Sequence, residues 1–348
     1  MLSTARLGLS LGRLAASLFL SFVFTTLILL IAGAPPINTF IILFAGGLGS
    51  ATKLAQAISV WIPLVLCSSA LLLAFAPGLW NIGIEGQIIL GAIFATGFLR
   101  PFGLGGSPLI LVGALLAGMI GGGLWAYLAG VLKTWGRVHE IFGGLGLNFV
   151  ALGLTLWLIF GPWKRPGVAS MSGTEPLHPS LWLKEFKGLS LSPVSLVLAL
   201  VAIGLVIYLL RSTRWGLSLK AVGQNPDAAL LFGLKPNKRI LESMLACGAL
   251  AGLAGALQVV GVYHRLLPAI SSNYGYTALL VTMLASFRPQ FIPPICFFFA
   301  VLNVGSIQLP LQLKLDSSLS GVIQGVLVLS VFLVHGLEDR LRMRRKKR

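Results

Sequence analysis

Charge is scarce in this chain: aspartate and glutamate together number 9 in 348 residues, and all charged types make up only 10%. Cysteine is nearly missing as well. Cys67, Cys247 and Cys296 fall inside apolar runs with no metal-ligand spacing, so they read as inert core residues. The histidines, at 139, 178, 264 and 335, are scattered without an HExxH or a partnered cysteine, so no metal site is expected. No nucleophile, base and orienting group can be assembled, and no catalytic residue is nominated; an enzyme is therefore not expected. A G-x-x-x-x-G-K-[ST] motif is also lacking, so the chain cannot by itself cradle a nucleoside triphosphate. If transport here is driven, another polypeptide supplies the energy.

Apolar residues are what the chain has, at 56% with a mean hydropathy of +0.93, well outside the soluble range. A spanning helix needs about 20 predominantly apolar residues. Ten such stretches are expected: Leu14–Ala34, Ala55–Ala76, the short Gln87–Leu99, Pro108–Leu132, Ile141–Trp163, Leu189–Leu210, Ser243–Tyr263, Tyr274–Phe287, Phe291–Leu309 and Leu319–His335. The fold class is thus an all-α polytopic membrane protein forming a single transmembrane domain over 1–348. Pro63, Pro77 and Gly78 predict that the second and third spans are broken helices. A cleaved signal peptide is the rival reading of the N-terminus, but the apolar run after Arg6 and Arg13 exceeds the usual length and "AGAPPIN" is a poor cleavage site.

Basic residues set the orientation, since short loops rich in them stay cytoplasmic. With both termini inside, 18 of the 26 basic residues are cytoplasmic, counting Arg6, Arg13, Lys133, Arg137, the loop from Arg211 to Arg239, Arg288 and a basic tail over 336–348. The net charge of +17 therefore reports topology and contact with anionic lipid before any nucleic-acid partner.

Polar residues interrupt this pattern at "APGLWNIGIEGQIILGAIFATG", Ala76–Gly97, which carries an Asn, a Glu, a Gln and five glycines. "NIGIEGQIILGAIFA" from Asn81 can be laid on "NYGYTALLVTMLAS" from Asn273, matching Asn81 with Asn273, Gly83 with Gly275 and Ile84 with Tyr276. Glycine-interrupted segments in corresponding halves point to a midplane site. A carboxylate within a membrane seldom faces lipid, which leaves Glu85 two roles. It accepts hydrogen bonds from N–H groups freed by the break at Gly83 and Gly86, or it and Gln87 line a path and bond a polar solute. The first is favoured, because a helix N-terminus supplies donors without a ligand. Asn148 is either an interhelical link or a path residue. Asn273, Tyr274 and Tyr276 lie near the outer end of a span, where a tyrosine is an interfacial belt residue or a ring for stacking on a base or sugar. "GALAGLAGAL" from Gly248 reads as close helix packing.

The 33-residue stretch "RSTRWGLSLKAVGQNPDAALLFGLKPNKRILES", 211–243, is more than a connector. Asn225 as cap, Pro226 in the first turn and Asp227 near the positive dipole end predict a short helix from Pro226 to Phe232, stopped at Gly233. Its apolar face, Ala228, Leu231 and Phe232, docks on a partner or lies on the bilayer surface.

Four segments resemble, in order, the integral-membrane permeases of bacterial ABC importers for simple sugars and nucleosides, the branched-chain amino acid/ribose-type permease family. "GLWNIGIEGQIILGAIFA" is similar to that family's "FNIGGEGQ" signature, and "RVHEIFGGLGLNFVALGL" to its "VNEVIxTxMLNYIA" segment. "GLSLKAVGQNPDAALLFGLKPNK" resembles its "RAVGxNPxAAxxAGI" coupling loop, and "GALAGLAGALQVVGVYHRL" its "GAxAGLAGAxEVLG" helix. The resemblance covers about residues 60 to 335 and is nearest to nucleoside-type permeases. It implies a type II ABC importer permease fold of ten spans in the bacterial inner membrane. It also implies a second permease chain, paralogous or identical, two cytoplasmic ATPase subunits holding ATP and magnesium, and an extracytoplasmic substrate-binding protein. This chain itself would hold no cofactor. The loop 211–243 would couple to the ATPases through Gly223, Asn225, Pro226, Asp227, Ala228, Leu231 and Phe232. Departures are Ile84 for a second glycine, His139 for Asn, Gln258 for Glu, and Gly143 and Gly144 at positions normally branched or hydroxylated. An ion-coupled secondary transporter of the inverted-repeat kind would also show broken helices and buried polar groups. Dependence on ATPase partners separates the two.

Overall fold

The structure is a computed structural model that describes residues 19–20, 22–31, 33–102, 107–165, 167, 173–186, 188–314, 316, 318–319, 321–326, 328–330 and 333–334. Arg6, Arg13 and the basic tail 336–348 lie outside the described residues, as do parts of the first and last expected spans. Among the described residues the chain is all helix, without a strand.

The helices are α1 (Phe22–Ile31), α2 (Pro36–Leu48), α3 (Ala51–Phe75), α4 (Ile84–Leu99), α5 (Pro108–Thr134), α6 (Glu140–Phe160) and α7 (Pro193–Ser212). They are followed by α8 (Arg214–Gln224), α9 (Pro226–Leu231), α10 (Pro236–Gln258), α11 (Tyr274–Leu284), α12 (Ile292–Ser306), α13 (Gln308–Leu313) and α14 (Gly321–Ser330). Proline opens α2, α5, α7, α9 and α10, where its missing N–H costs nothing. Ser107 caps α5, its hydroxyl accepting from the Leu109 N–H at 3.1 Å.

Among the described residues six segments are long and apolar enough to cross a membrane, or seven if α1 and α2, bent by 109°, form one span. That is fewer than the ten expected. Three shorter helices make up the difference: α4 has 16 residues, α11 only 11, and α14 is Gly321–Ser330, and at about 1.5 Å per residue none reaches the roughly 30 Å of a hydrocarbon core. The expected break in the second span is also relocated. Helix α3 runs uninterrupted through Pro63, and the break falls after Phe75, in the turns that carry Pro77 and Gly78.

The chain divides into two compact units, residues 58–297 and residues 1–57 with 298–348. In the second, Leu43, Leu302, Leu309 and Ile323 form a buried cluster, beside Gly46 and Gly305, whose backbones touch. In the first, α10 is the central helix, packed against α4 and α5. The contact is built from backbone. A Cβ on Gly252 would stand 2.9 Å from the Gly122 Cα and closer still to the Gly118 carbonyl. This is the close approach that the "GALAGLAGAL" stretch predicts. Helix α10 ends in one π turn, Val259–Tyr263. Helices α5, α6 and α7 leave most of their apolar surface outward.

Gly252→Ala should therefore destabilise the protein by about 1–3 kcal/mol, the usual cost of overpacking. Gly153→Ala, on α6 with nothing within 4 Å of its new Cβ, should be neutral or slightly stabilising. Thermal unfolding of both variants in detergent checks the contrast.

Candidate functional site

Two helices of the larger unit begin in its interior rather than at its surface. The first N–H groups of any helix lack intrahelical partners and must find acceptors. Gly83 opens α4 without a side-chain cap, and Asn273, in the left-handed region at φ 59°, opens α11 without one either.

Each start is capped from another element. Asn148 of α6 accepts the Gly86 N–H on Oδ1 at 2.8 Å, and its Nδ2 donates to the Ile82 carbonyl at 3.0 Å and to the Tyr276 hydroxyl oxygen at 3.2 Å. Glu85 of α4 accepts the Gly275 N–H on Oε2 at 2.8 Å. Its carboxylate thus lies where the positive ends of two helix dipoles converge. Glu85 is buried, and its Oε1 has no partner among the described residues. The donor it serves is α11, whereas the sequence pointed to N–H groups of its own break.

These approaches need missing side chains. Gly144 lies one helical turn before Asn148 on the narrow buried stripe of α6, Gly144, Asn148, Ala151, Thr155 and Ile159. A Cβ on Gly144 would stand 2.6 Å from the Gly83 nitrogen, and one on Gly275 would meet the Glu85 carboxylate.

Asn81 and Gln87 pair with each other. Asn81 Nδ2 donates to Gln87 Oε1 at 3.1 Å, and Gln87 Nε2 donates to Asn81 Oδ1 at 2.9 Å, with Cys247 Sγ also 3.1 Å from Asn81 Nδ2. Both amides are buried. Asn273 and Tyr276 are exposed, while Tyr274 is buried. The structure thus brings Asn81 to Gln87 and Asn148 to Tyr276, and it does not bring Asn81 to Asn273. The helix starts align Ile84 with Tyr274, two residues away from the register in which Asn81 matches Asn273.

Three contributors are invisible in the sequence pattern: Gly144 as the contact for Gly83, Cys247 beside Asn81, and Trp125, whose Nε1 faces the Gly86 backbone. The only signal for any of them is the departure from the family pattern at Gly144. Among the described residues no three His, Cys, Asp or Glu side chains gather as a metal site would require.

Asn148→Ala strands the Gly86 N–H and the Ile82 carbonyl, so a loss of about 1–3 kcal/mol in stability is expected. Glu85→Gln keeps an acceptor for Gly275 and should still fold, with Glu85→Leu yielding markedly less folded protein. Melting temperature and yield of monodisperse protein report both.

Comparison with known proteins places this geometry. The family described as the permease component of the branched-chain amino acid transport system matches residues 53–332. A guanosine ABC transporter permease of Bacillus subtilis is 26% identical over 311 residues, 88% of each chain. A glucose ABC transporter permease of Haloferax volcanii is 28% identical, over 84% of this chain and 80% of its own. A second guanosine permease chain of Bacillus subtilis is 25% identical, over 65% of this chain and 73% of its own. These relatives leave the ion-coupled alternative without support. The family match spans well over half of the sequence, and the chain belongs to the branched-chain amino acid transport permease family, as a membrane permease subunit of an ABC importer.

Proposed function

We propose that this permease carries a nucleoside or simple sugar along the face of α11 that bears Asn273 and Tyr276, driven by ATPase subunits that dock on α9. The observation that carries the proposal is the exposure of α9. Asn225 Oδ1 caps this helix by accepting the Ala228 N–H at 3.0 Å. Leu231 and Phe232 are 89% and 87% exposed, with Leu230 beside them; Ala228 is only partly exposed and Ala229 is buried. Apolar side chains held outward on a capped, rigid turn suit a partner's groove. Beside them, Leu217, Ala221, Ala228, Phe232 and Leu234 line a depression of ≈ 580 Å³. The basic flanks Arg214, Lys235, Lys238 and Arg239 agree with a cytoplasmic position and with both termini inside.

The remaining spans follow from the short helices. Counting the bent α1–α2 pair as one span, and α4, α11 and α14 as one each, gives the ten of a type II importer fold. Helix α11 covers about 16 Å at 1.5 Å per residue, half of the hydrocarbon core. With Arg288 at the cytoplasmic boundary, the Glu85–Gly275 contact falls near mid-depth. At that depth the exposed Asn273 and Tyr276 are too polar to face lipid. A water-filled path shared with a second permease chain accommodates them. The pair of distinct guanosine permease chains in Bacillus subtilis supports a paralogue as that second chain. ATP and magnesium would be held by the ATPase subunits, and an extracytoplasmic binding protein would deliver the solute. Asn81, Glu85, Gln87 and Asn148 form the rigid wall behind the path.

Gly223 serves a packing role in this arrangement. A Cβ there would stand 3.1 Å from the Pro77 carbonyl carbon and 3.2 Å from the Gly78 nitrogen. Gly223→Arg should accordingly lower the melting temperature, whereas Leu231→Asp with Phe232→Asp should leave it unchanged. In the reconstituted importer the double variant should lose solute-stimulated ATP hydrolysis by tenfold or more. Full stimulation with both charges in place would refute docking at α9. Thermal stabilisation of the delivery protein by guanosine, uridine, D-ribose or D-glucose identifies the cargo class.

A further inference from the structure

The hydrogen bonds of Asn148 fix which way the Tyr276 hydroxyl acts. The Gly86 N–H needs an oxygen, so Asn148 Oδ1 faces it at 2.8 Å. The other end of the amide is a donor only, and it reaches the Ile82 carbonyl at 3.0 Å and Tyr276 Oη at 3.2 Å. Tyr276 Oη is therefore the acceptor in that contact, which leaves its own hydrogen free to donate. Tyr276 is 38% exposed, on the same helical face as the exposed Asn273 three residues earlier. Its hydroxyl is held by Asn148 in a part-buried hydrogen bond on a residue that remains partly open, and it keeps a hydrogen to donate. The rest of the polar set is turned inward: Asn81 and Gln87 satisfy each other, and Glu85 is engaged by Gly275.

We propose that Tyr276 is a specificity-determining residue of the translocation path, its hydroxyl donating a hydrogen bond to a lone pair on the passing solute, a sugar hydroxyl or a base carbonyl or ring nitrogen. This rests on the path assignment made above. Solutes lacking an acceptor at the matching position lose this contact and cross more slowly. The ring supplies a flat apolar face beside the donor, and the rigid Asn148 anchor removes the cost of orienting the hydroxyl.

The test uses the complete importer in proteoliposomes, with both permease chains, the ATPases and the delivery protein, and whichever of guanosine or D-glucose the wild type accumulates. Tyr276→Phe keeps the ring and removes the donor; uptake per assembled complex should fall about tenfold in kcat/KM. A second arm places a trifluorotyrosine at 276, whose more acidic phenol is followed by its fluorine resonance. The phenolate still accepts from Asn148 but cannot donate, so uptake should fall as pH rises, with the midpoint of the fluorine titration, while the melting temperature holds. Unchanged uptake in Tyr276→Phe, or a fluorine titration with no matching loss of uptake, overturns the proposal. If the wild-type complex accumulates neither solute nor any other nucleoside or simple sugar tested, the proposed transport function is what has failed.

Discussion

A helix that begins inside a protein leaves several N–H groups without partners, and in a medium of low dielectric each unpaired group is costly. The larger unit of this permease contains two such starts, at Ile84 and Tyr274. Both are satisfied by side chains from elsewhere, Asn148 for α4 and Glu85 for α11. Much of the local architecture follows from that requirement. Gly83, Gly144 and Gly275 lack side chains because the donor and acceptor could not otherwise approach. The carboxylate is retained within an apolar chain because two positive dipole ends converge on it.

Capping from a distance also separates scaffold from surface. Asn81, Gln87 and Asn148 are buried and hydrogen-bonded, and buried Glu85 is engaged through Oε2, which makes them a support for whatever faces outward. Asn273 and Tyr276 are the members of the polar set that remain accessible. The same support extends toward the basic loop, because Gly223 of α8 packs its backbone on the Ala76–Gly78 turn that leads into Asn81. One short stretch, residues 76–83, therefore joins the basic loop 211–243 to the capped junction.

The central packing has a different basis. Between α10 and α5 the contact is backbone on backbone, across Gly118, Gly122 and Gly252. Lipid is as apolar as leucine, so burying leucine there gains little, and close van der Waals contact takes over as the source of association. The exposed apolar faces of α5, α6 and α7 are the other side of this arrangement, surfaces suited to lipid or a second permease chain.

Composition and motif order were sufficient to read a helical membrane permease with a capped helix at Asn225, since hydropathy and cap chemistry are local properties of the chain. Sequence also singled out Glu85 and Asn148 as polar residues that need partners, and Tyr276 as an interfacial or stacking ring. It could not name those partners, because Glu85 meets Gly275 and Asn148 meets Gly86 across 190 and 62 residues of chain. Nor could hydropathy see that the second span runs through Pro63, because an apolar run has the same composition whether its helix is continuous or broken. Local chemistry thus determined what each segment is and which residues carry an unmet demand; the tertiary structure alone decided how each demand is met, because a hydrogen bond between distant segments exists only once the helices have packed.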